Sequence, residues 1–467
     1  MLSFFRINDP YRLLFVLGLL LIFRLPYMIS GLSLTIPELN WMIVGEAMSS
    51  GKMMYRDIWE DIGPLSAFFY QILDIVFGKS QLAYQLIALI IVFLQAVIFN
   101  RLLLNNKAFN ENTYIPSLVY IVCMSANFEF LTPSPVMMSM TFVLLAINNI
   151  FKRIDNFTRD ELFLNTGLYL GISTLFYFPS FLFFISTLLS LVLFTGAIPR
   201  RLILLSFGYF QVLAIVALYY YWNDTGREFY YQFFLSAFEL ERTPLLSNSI
   251  IFKIGLILLV FLLVSFVKLY SRNYYVNFQV KFQSVMLITF LAAFLSLFLQ
   301  PQLSAQHLIA FIPVVAFFLS HLFLLIEKRL RAEILFAVFL TLIFVYQSVI
   351  DKEIRWIGQL ASFESIEVRP QLVNGIKGKS IIVLGSESSL YHEASLATPY
   401  YDWNLSKVHF GKLEYYDILT EVFDNFNEDL PEAILDLEGV APTLFQKMPT
   451  IGMKYSREPG NLYLLKE

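Results

Sequence analysis

The 467-residue chain has a single cysteine, Cys123, set inside an apolar run. One cysteine forms no internal disulfide, and a small apolar packing role accounts for it. Charge is scarce too: Asp, Glu, Lys and Arg make up 15% of the residues, where soluble domains run near ~25%. No His/Cys group has the spacing of a metal site. No glycine-rich phosphate loop opens a helix, which argues against an ATP-driven pump. The apolar runs lack deep acids, and the two halves show neither an inverted repeat nor matching Gly/Pro-broken helices. Both absences count against a transporter or flippase, the missing acids against a proton-coupled one in particular. A net charge of −3 carries no sign of a nucleic-acid partner.

What the chain does have is apolar length. Hydrophobic residues are 57% of it, with 48 Phe, and apolar runs recur at the ~17–21 residues that cross ~30 Å of hydrocarbon. They fall near 12–30, 81–100, 113–130, 134–151, 162–179, 181–198, 202–222, 250–267, 283–300, 307–326 and 333–350. The expected fold is therefore an all-α polytopic membrane bundle of about eleven helices. Pro133, Pro135 and Pro179 punctuate tight helical hairpins. The first run carries Arg24 and Pro26 with no small-residue cleavage site after it, so a retained first helix is expected.

Alternate connections are basic: Arg6 and Arg12; Arg101 and Lys107; Lys152, Arg153 and Arg159; Arg200 and Arg201; Lys268, Arg272 and Lys281; Lys328, Arg329 and Arg331. All six fall on one side of an eleven-span register, and the positive-inside rule makes that side cytoplasmic. The N-terminus is then inside. The Glu38–Leu65 stretch, the 223–249 loop and everything after about 350 lie outside.

From about 350 charge returns. Lys379–Gly385 reads as a buried strand, Tyr415–Phe426 as a helix, Glu432–Leu437 as a second strand and Lys454–Leu465 as a hairpin around Pro459-Gly460. The expected organisation is a membrane domain over 1–350, with a first outer loop at 31–80, and a small extracytoplasmic α/β domain over 351–467.

The first outer loop concentrates Glu38, Glu46, Asp57, Glu60 and Asp61 with Lys52, Arg56, Trp41, Tyr55 and Trp59. An acid just beyond a membrane helix suits a general base toward an acceptor hydroxyl, with a lipid-linked donor arriving at the same height. The same residues also suit an interfacial amphipathic helix, with Met42, Ile43, Met53 and Met54 toward lipid and Trp41, Tyr55 and Trp59 at the headgroups.

Further on, Tyr55, Arg56, Asp57, Trp59, Glu60, Pro64 and Leu65, followed by Phe77, Gly78 and Ser80, stand in one order. That order resembles the polytopic GT-C glycosyltransferases of the protein O-mannosyltransferase and aminoarabinose-transferase type. The late run Ser304-Ala305-Gln306-His307 leading to Ile312-Pro313 is similar to that family's late segment, and Ile381–Gly385 with Pro399-Tyr400 is similar to tails of bacterial members. The chain departs from the pattern in four places. Pro37 stands at the family's catalytic Asp, leaving Glu38 of the pair. Ile62 and Gly63 replace its Lys and first Pro. The run Thr132–Met138 has no acid, the nearest being Glu129.

The resemblance implies transfer of a sugar from a polyprenyl-phosphate donor to an extracytoplasmic acceptor, with a divalent cation as a possible cofactor. It assigns the base to Glu38 and acceptor or cation positioning to Asp57, Glu60 and Asp61. It assigns donor phosphate to Arg56, with Arg24 and His307 added on chemistry. Each residue has a plainer reading. Arg24 can snorkel, Gln306 and His307 can close a helix end, and His321 can pack. Arg227, Glu228, Glu239, Glu241 and Arg242 can rest on headgroups, and His392, Glu393, Asp402 and Trp403 can form a surface loop. A transporter and a non-catalytic component that binds a partner through its outer domain are the competing functions.

Overall fold

The computed structural model describes every residue except 32, 156–159, 197, 239–243, 271–275, 352–365, 369–375 and 467. Arg159, Glu239, Glu241, Arg242 and Arg272 lie outside the described residues. Two compact units emerge, and both are discontinuous in sequence. One joins Met1–Leu32, Gln81–Val216 and Glu239–Ser365; the other joins Ser33–Ser80, Ala217–Phe238 and Ile366–Glu467. A cut at 350 therefore separates stretches that cluster together.

Helices are numbered in chain order: α1 Arg12–Ser30, α2 Ile36–Ser49, α3 Pro64–Phe77, α4 Gln81–Asn105, α5 Ile115–Cys123, α6 Pro135–Asp155, α7 Glu161–Phe176, α8 Phe181–Thr195, α9 Pro199–Trp222, α10 Asn248–Tyr270, α11 Asn277–Ser296, α12 Ile312–Leu325, α13 Arg329–Asp351, α14 Trp403–Phe410, α15 Tyr416–Glu428 and α16 Ala441–Lys447. Proline opens α5, α6 and α12, where its missing N–H costs no helical hydrogen bond. Gly31 (φ 69°) and Gly196 (φ 57°) stop α1 and α8 in the left-handed conformation.

Among the described residues eight helices are long and apolar enough to cross a membrane: Arg12–Ile29, Gln81–Asn105, Pro135–Ile154, Phe178–Thr195, Pro199–Trp222, Asn248–Leu269, Asn277–Leu299 and Ala305–Leu325. Three of the eleven expected runs are not among them. The 113–130 run breaks into α5, nine residues long, and a 3₁₀ turn at Phe128–Leu131. Helix α7 has 16 residues. The described part of α13 opens with Arg329, Arg331 and Glu333.

In the first unit every residue of α5 is buried, and α5 packs against α4 and α12. A helix apolar all round belongs at a bundle's centre. Helix α9 shows the opposite pattern, with Ile203, Phe207, Phe210 and Ile215 exposed as on a lipid-facing flank. Helices α7 and α9 approach through glycine. A Cβ on Gly167 would overlap the Leu205 carbonyl oxygen, and one on Gly208 would sit 2.5 Å from that of Leu164. This is close small-residue packing of the kind membrane helices use.

The second unit is built around a five-stranded sheet: β1 Ser380–Leu384, β2 Ser395–Leu396, β3 Ala433–Asp436, β4 Tyr455–Glu458 and β5 Leu462–Leu465, in the order β2-β1-β3-β5-β4. Strand β1 is parallel to both neighbours, and β3–β5–β4 is antiparallel. The β4–β5 turn uses Gly460 (φ 82°) and Asn461 (φ 58°), the positive-φ pair a tight hairpin needs. The expected strands, hairpin and 415–426 helix all appear here.

Residues 33–80 enter this unit by backbone pairing. Ile36 N–H donates to Ile366 O (2.8 Å) and Val368 N–H to Leu34 O (2.8 Å). Helices α2 and α3 form a hairpin in which Trp41 stacks on Tyr70 (5.6 Å, 3°) and Gly45 admits the Tyr70 carbonyl. Trp59 lies in the sheet's core with Ile382, Leu384, Tyr400 and Phe410. These positions correct the interfacial-helix expectation. Met42, Ile43 and Met54 are buried in protein, as are Trp41, Tyr55 and Trp59, and Met53 is half-buried. Apolar spacing marks a face that leaves water and does not say whether lipid or protein receives it.

Candidate functional site

Most of the residues singled out in the first outer loop lie in the second unit. Glu38 stands in the first turn of α2, whose N-cap is Thr35; Thr35 Oγ1 accepts the Glu38 N–H at 3.4 Å. Its side chain is 2% exposed. An acid three residues after a Thr cap suits the capping position and the positive end of the helix. The same placement gives a buried carboxylate on a rigid element.

The Tyr55–Trp59 segment is a tight turn. Tyr55 takes φ 72°, its ring meets Tyr220 (5.1 Å) and Phe229 (5.4 Å), and its hydroxyl donates to Ile62 O (2.7 Å). Asp57 accepts the Met53 N–H (2.7 Å) and two bonds from Arg56, Nε at 2.8 Å and Nη2 at 3.0 Å. Trp59 N–H donates to Pro399 O (2.8 Å), and Asp402 N–H returns to Trp59 O (3.1 Å). Lys52 adds an ion pair to Asp429 (2.6 Å). The motif that carries the family resemblance thus holds the loop onto residues 399–402.

Glu60 and Asp61 stand together beside Asp402. Glu60 N–H donates to Gln232 Oε1 (3.3 Å), and Gln232 Nε2 donates to Tyr55 O (2.8 Å). Burial, then Asp402 and Asp61, push the Glu60 carboxyl well above the usual carboxylate range, and it shares a hydrogen bond with Asp61. Asp402 also caps α14 through Asn404 N–H (2.7 Å). Trp403 stacks on Phe410 (5.8 Å).

Asp57 accepts from Arg56 and Met53, and burial holds the Glu60 proton above the usual carboxylate range. Among the described residues no three His, Cys, Asp or Glu side chains converge as metal ligands.

Arg24, Glu129 and His307 lie in the first unit. Arg24 is 1% exposed, and its Nη2 donates to Met124 O (3.2 Å) and Phe130 O (2.9 Å). Glu129, buried, accepts the N–H groups of Ala305 (3.3 Å) and Gln306 (3.1 Å). His307 folds onto its own turn, Nδ1 lying 3.2 Å from the Ser304 N, with Tyr177 6.0 Å away ring to ring. His321 is buried between Phe109 and Phe317. Asn127 and Gln232 escape sequence reading because a lone amide carries no spacing signal.

No family sequence model and no curated protein sequence matches the chain. Its three-dimensional structure does find neighbours. ArnT from Cupriavidus metallidurans bound to undecaprenyl phosphate matches over 97% of this chain and 96% of its own, at 10% identity and a TM-score of 0.54. The apo form of ArnT gives the same TM-score, 0.54, at 11% identity. The archaeal oligosaccharyltransferase AglB from Archaeoglobus fulgidus, in complex with an inhibitory peptide and a dolichol-phosphate, matches over 98% of this chain and 74% of its own. There the identity is 11% and the TM-score 0.50. At such identities the likeness is one of fold: this is an integral membrane protein with the fold of the GT-C glycosyltransferases.

Proposed function

We propose that the chain is a membrane glycosyltransferase that moves a sugar from a polyprenyl-phosphate carrier to an acceptor outside the cytoplasm of a bacterial cell. Its N-terminus would be inside and its C-terminal domain outside, in the inner membrane. The observation that carries this reading is the near full-length fold match to ArnT, a protein seen with undecaprenyl phosphate. In the reaction the acceptor hydroxyl oxygen attacks the sugar's anomeric carbon. The bond from that carbon to the phosphate oxygen breaks, and the electron pair leaves with the polyprenyl phosphate. Glu38 takes the hydroxyl proton as general base. Asp61, with Glu60 as its proton-bearing neighbour, positions the acceptor, and Asp57 holds the turn that precedes them. In the first unit, Arg24 and His307 supply donors to a lipid phosphate.

Glu38→Ala is expected to lower transfer in membranes about 100-fold or more while the protein stays folded, since general-base removal costs ~10²–10⁴. Unchanged transfer would remove Glu38 from the mechanism. A second reading is favoured by the turn itself. Arg56, Asp57 and Trp59 are committed to structure, and Pro37 fills the family's Asp position. On that reading the protein is a non-catalytic membrane component. Stoichiometric co-purification of a protein partner, with no transfer by the wild type, would decide for it.

A further inference from the structure

Among the described residues Arg24 is a buried cation without a counterion. It stands twelve residues into α1, ~18 Å along the helix from Arg12, with its side chain wholly inside the first unit. Nη2 serves two carbonyls, Met124 O and Phe130 O. Among the described residues Nε and Nη1 have no hydrogen-bond partner, and Arg24 forms no ion pair. A second orphaned donor lies on the same turn. Asn127, fully buried, spends Oδ1 on the Glu129 N–H (2.9 Å), while its Nδ2 has no partner. The one acid on this turn, Glu129, points its carboxylate at the Ala305 and Gln306 amides instead.

Everything unfilled here on Arg24 and Asn127 is a donor. A bundle that leaves guanidinium N–H groups dry and unpaired pays heavily for it. A ligand made only of acceptors, carrying negative charge, removes that cost. A guanidinium fork matches phosphate oxygens in particular. Access also has a direction. On α1 the side chains of Ile22, Leu25 and Ile29 are exposed, as on a lipid-facing rim, and Ile29 reaches 82%.

The geometry points to a phosphate site made by Arg24 Nε and Nη1 with Asn127 Nδ2, filled from the bilayer by the phosphate of a lipid. The site itself stands on these contacts; only the choice of a polyprenyl phosphate over a glycerophospholipid rests on the function proposed above. It also separates the arginines. Among the described residues Arg24 has donors without partners, whereas Arg56 is paired with Asp57.

The test is native mass spectrometry of the delipidated full-length protein in detergent. The probes are undecaprenyl phosphate, undecaprenol, phosphatidylglycerol and inorganic phosphate. Wild type is expected to retain undecaprenyl phosphate at least about tenfold better than undecaprenol. Arg24→Met and Asn127→Asp are expected to erase that difference, and Arg24→Lys to restore part of it. Asn127→Asp keeps the acceptor for Glu129 N–H and removes the donor, so it decides the matter even if Arg24→Met does not fold. Equal retention of undecaprenol and its phosphate, or unchanged retention in a folded Asn127→Asp and Arg24→Lys pair, overturns the site. Equal retention of phosphatidylglycerol keeps the site and removes the carrier from the proposed function. Displacement of either lipid by inorganic phosphate keeps the site and shows that it opens to water.

Discussion

A carboxyl group's job depends on what else shares its space. Asp57 is half-buried and receives three donors, so it works as a clamp for its turn. Glu60, 9% exposed and beside Asp61 and Asp402, keeps its proton far above the usual range. In the unfolded chain a Glu titrates near ~4.3. Between that pH and the raised folded value, the unfolded chain has released a proton that the fold retains. Stability therefore falls as pH rises through that window. Glu60→Gln should flatten this slope and raise the melting temperature at pH 8 relative to wild type. Thermal unfolding in detergent from pH 4 to 8 checks it, and a wild-type slope surviving in the variant would sink the assignment. Glu60 and Asp61 were visible in the sequence as neighbours. The proton between them was not, because Asp402 reaches them from some 340 positions away in the chain.

Among the elements, α7 and α9 show how one atom sets a helix distance. Gly167 and Gly208 each face a carbonyl of the partner helix, where a methyl group has no room. Gly167→Ala should cost about 1–3 kcal/mol, as overpacking does, read as a lowered melting temperature in the same detergent. Gly18, with open space around its Cβ position, is the control: Gly18→Ala should be neutral or slightly stabilising, by about 0.5 kcal/mol. The apolar runs and proline stops made most membrane helices legible. The 113–130 run reads as one helix because its composition is continuous. It ends at Cys123 in the structure, and the polar turn after it carries Asn127 and Glu129.

For the whole molecule, the second unit's discontinuity matters most. Trp59 comes from the first outer loop and fills the core of a sheet built by residues 380–465. Trp59→Ala should destabilise that unit by about 3–5 kcal/mol, as large core truncations do. Hydrogen exchange of β1 and β3 would register it as lost protection. A fragment of residues 366–467 lacks Trp59 and the 34–36 pairing. It should show strand signal without fixed side-chain packing, and a well-dispersed NMR spectrum from it would refute this.

Apolar length and the spacing of proline and glycine were enough to place this chain in a membrane and to mark the late strands and their hairpin. Both are local properties, since a helix must span the hydrocarbon alone and a tight turn needs positive φ at its own residues. Only the folded chain could decide which apolar faces meet lipid and which meet protein. Water exclusion rewards burial without naming the partner. For the same reason the fate of each charge was a tertiary matter: Arg56 found a carboxylate next door, while Arg24 was carried into the bundle, where no described carboxylate pairs with it.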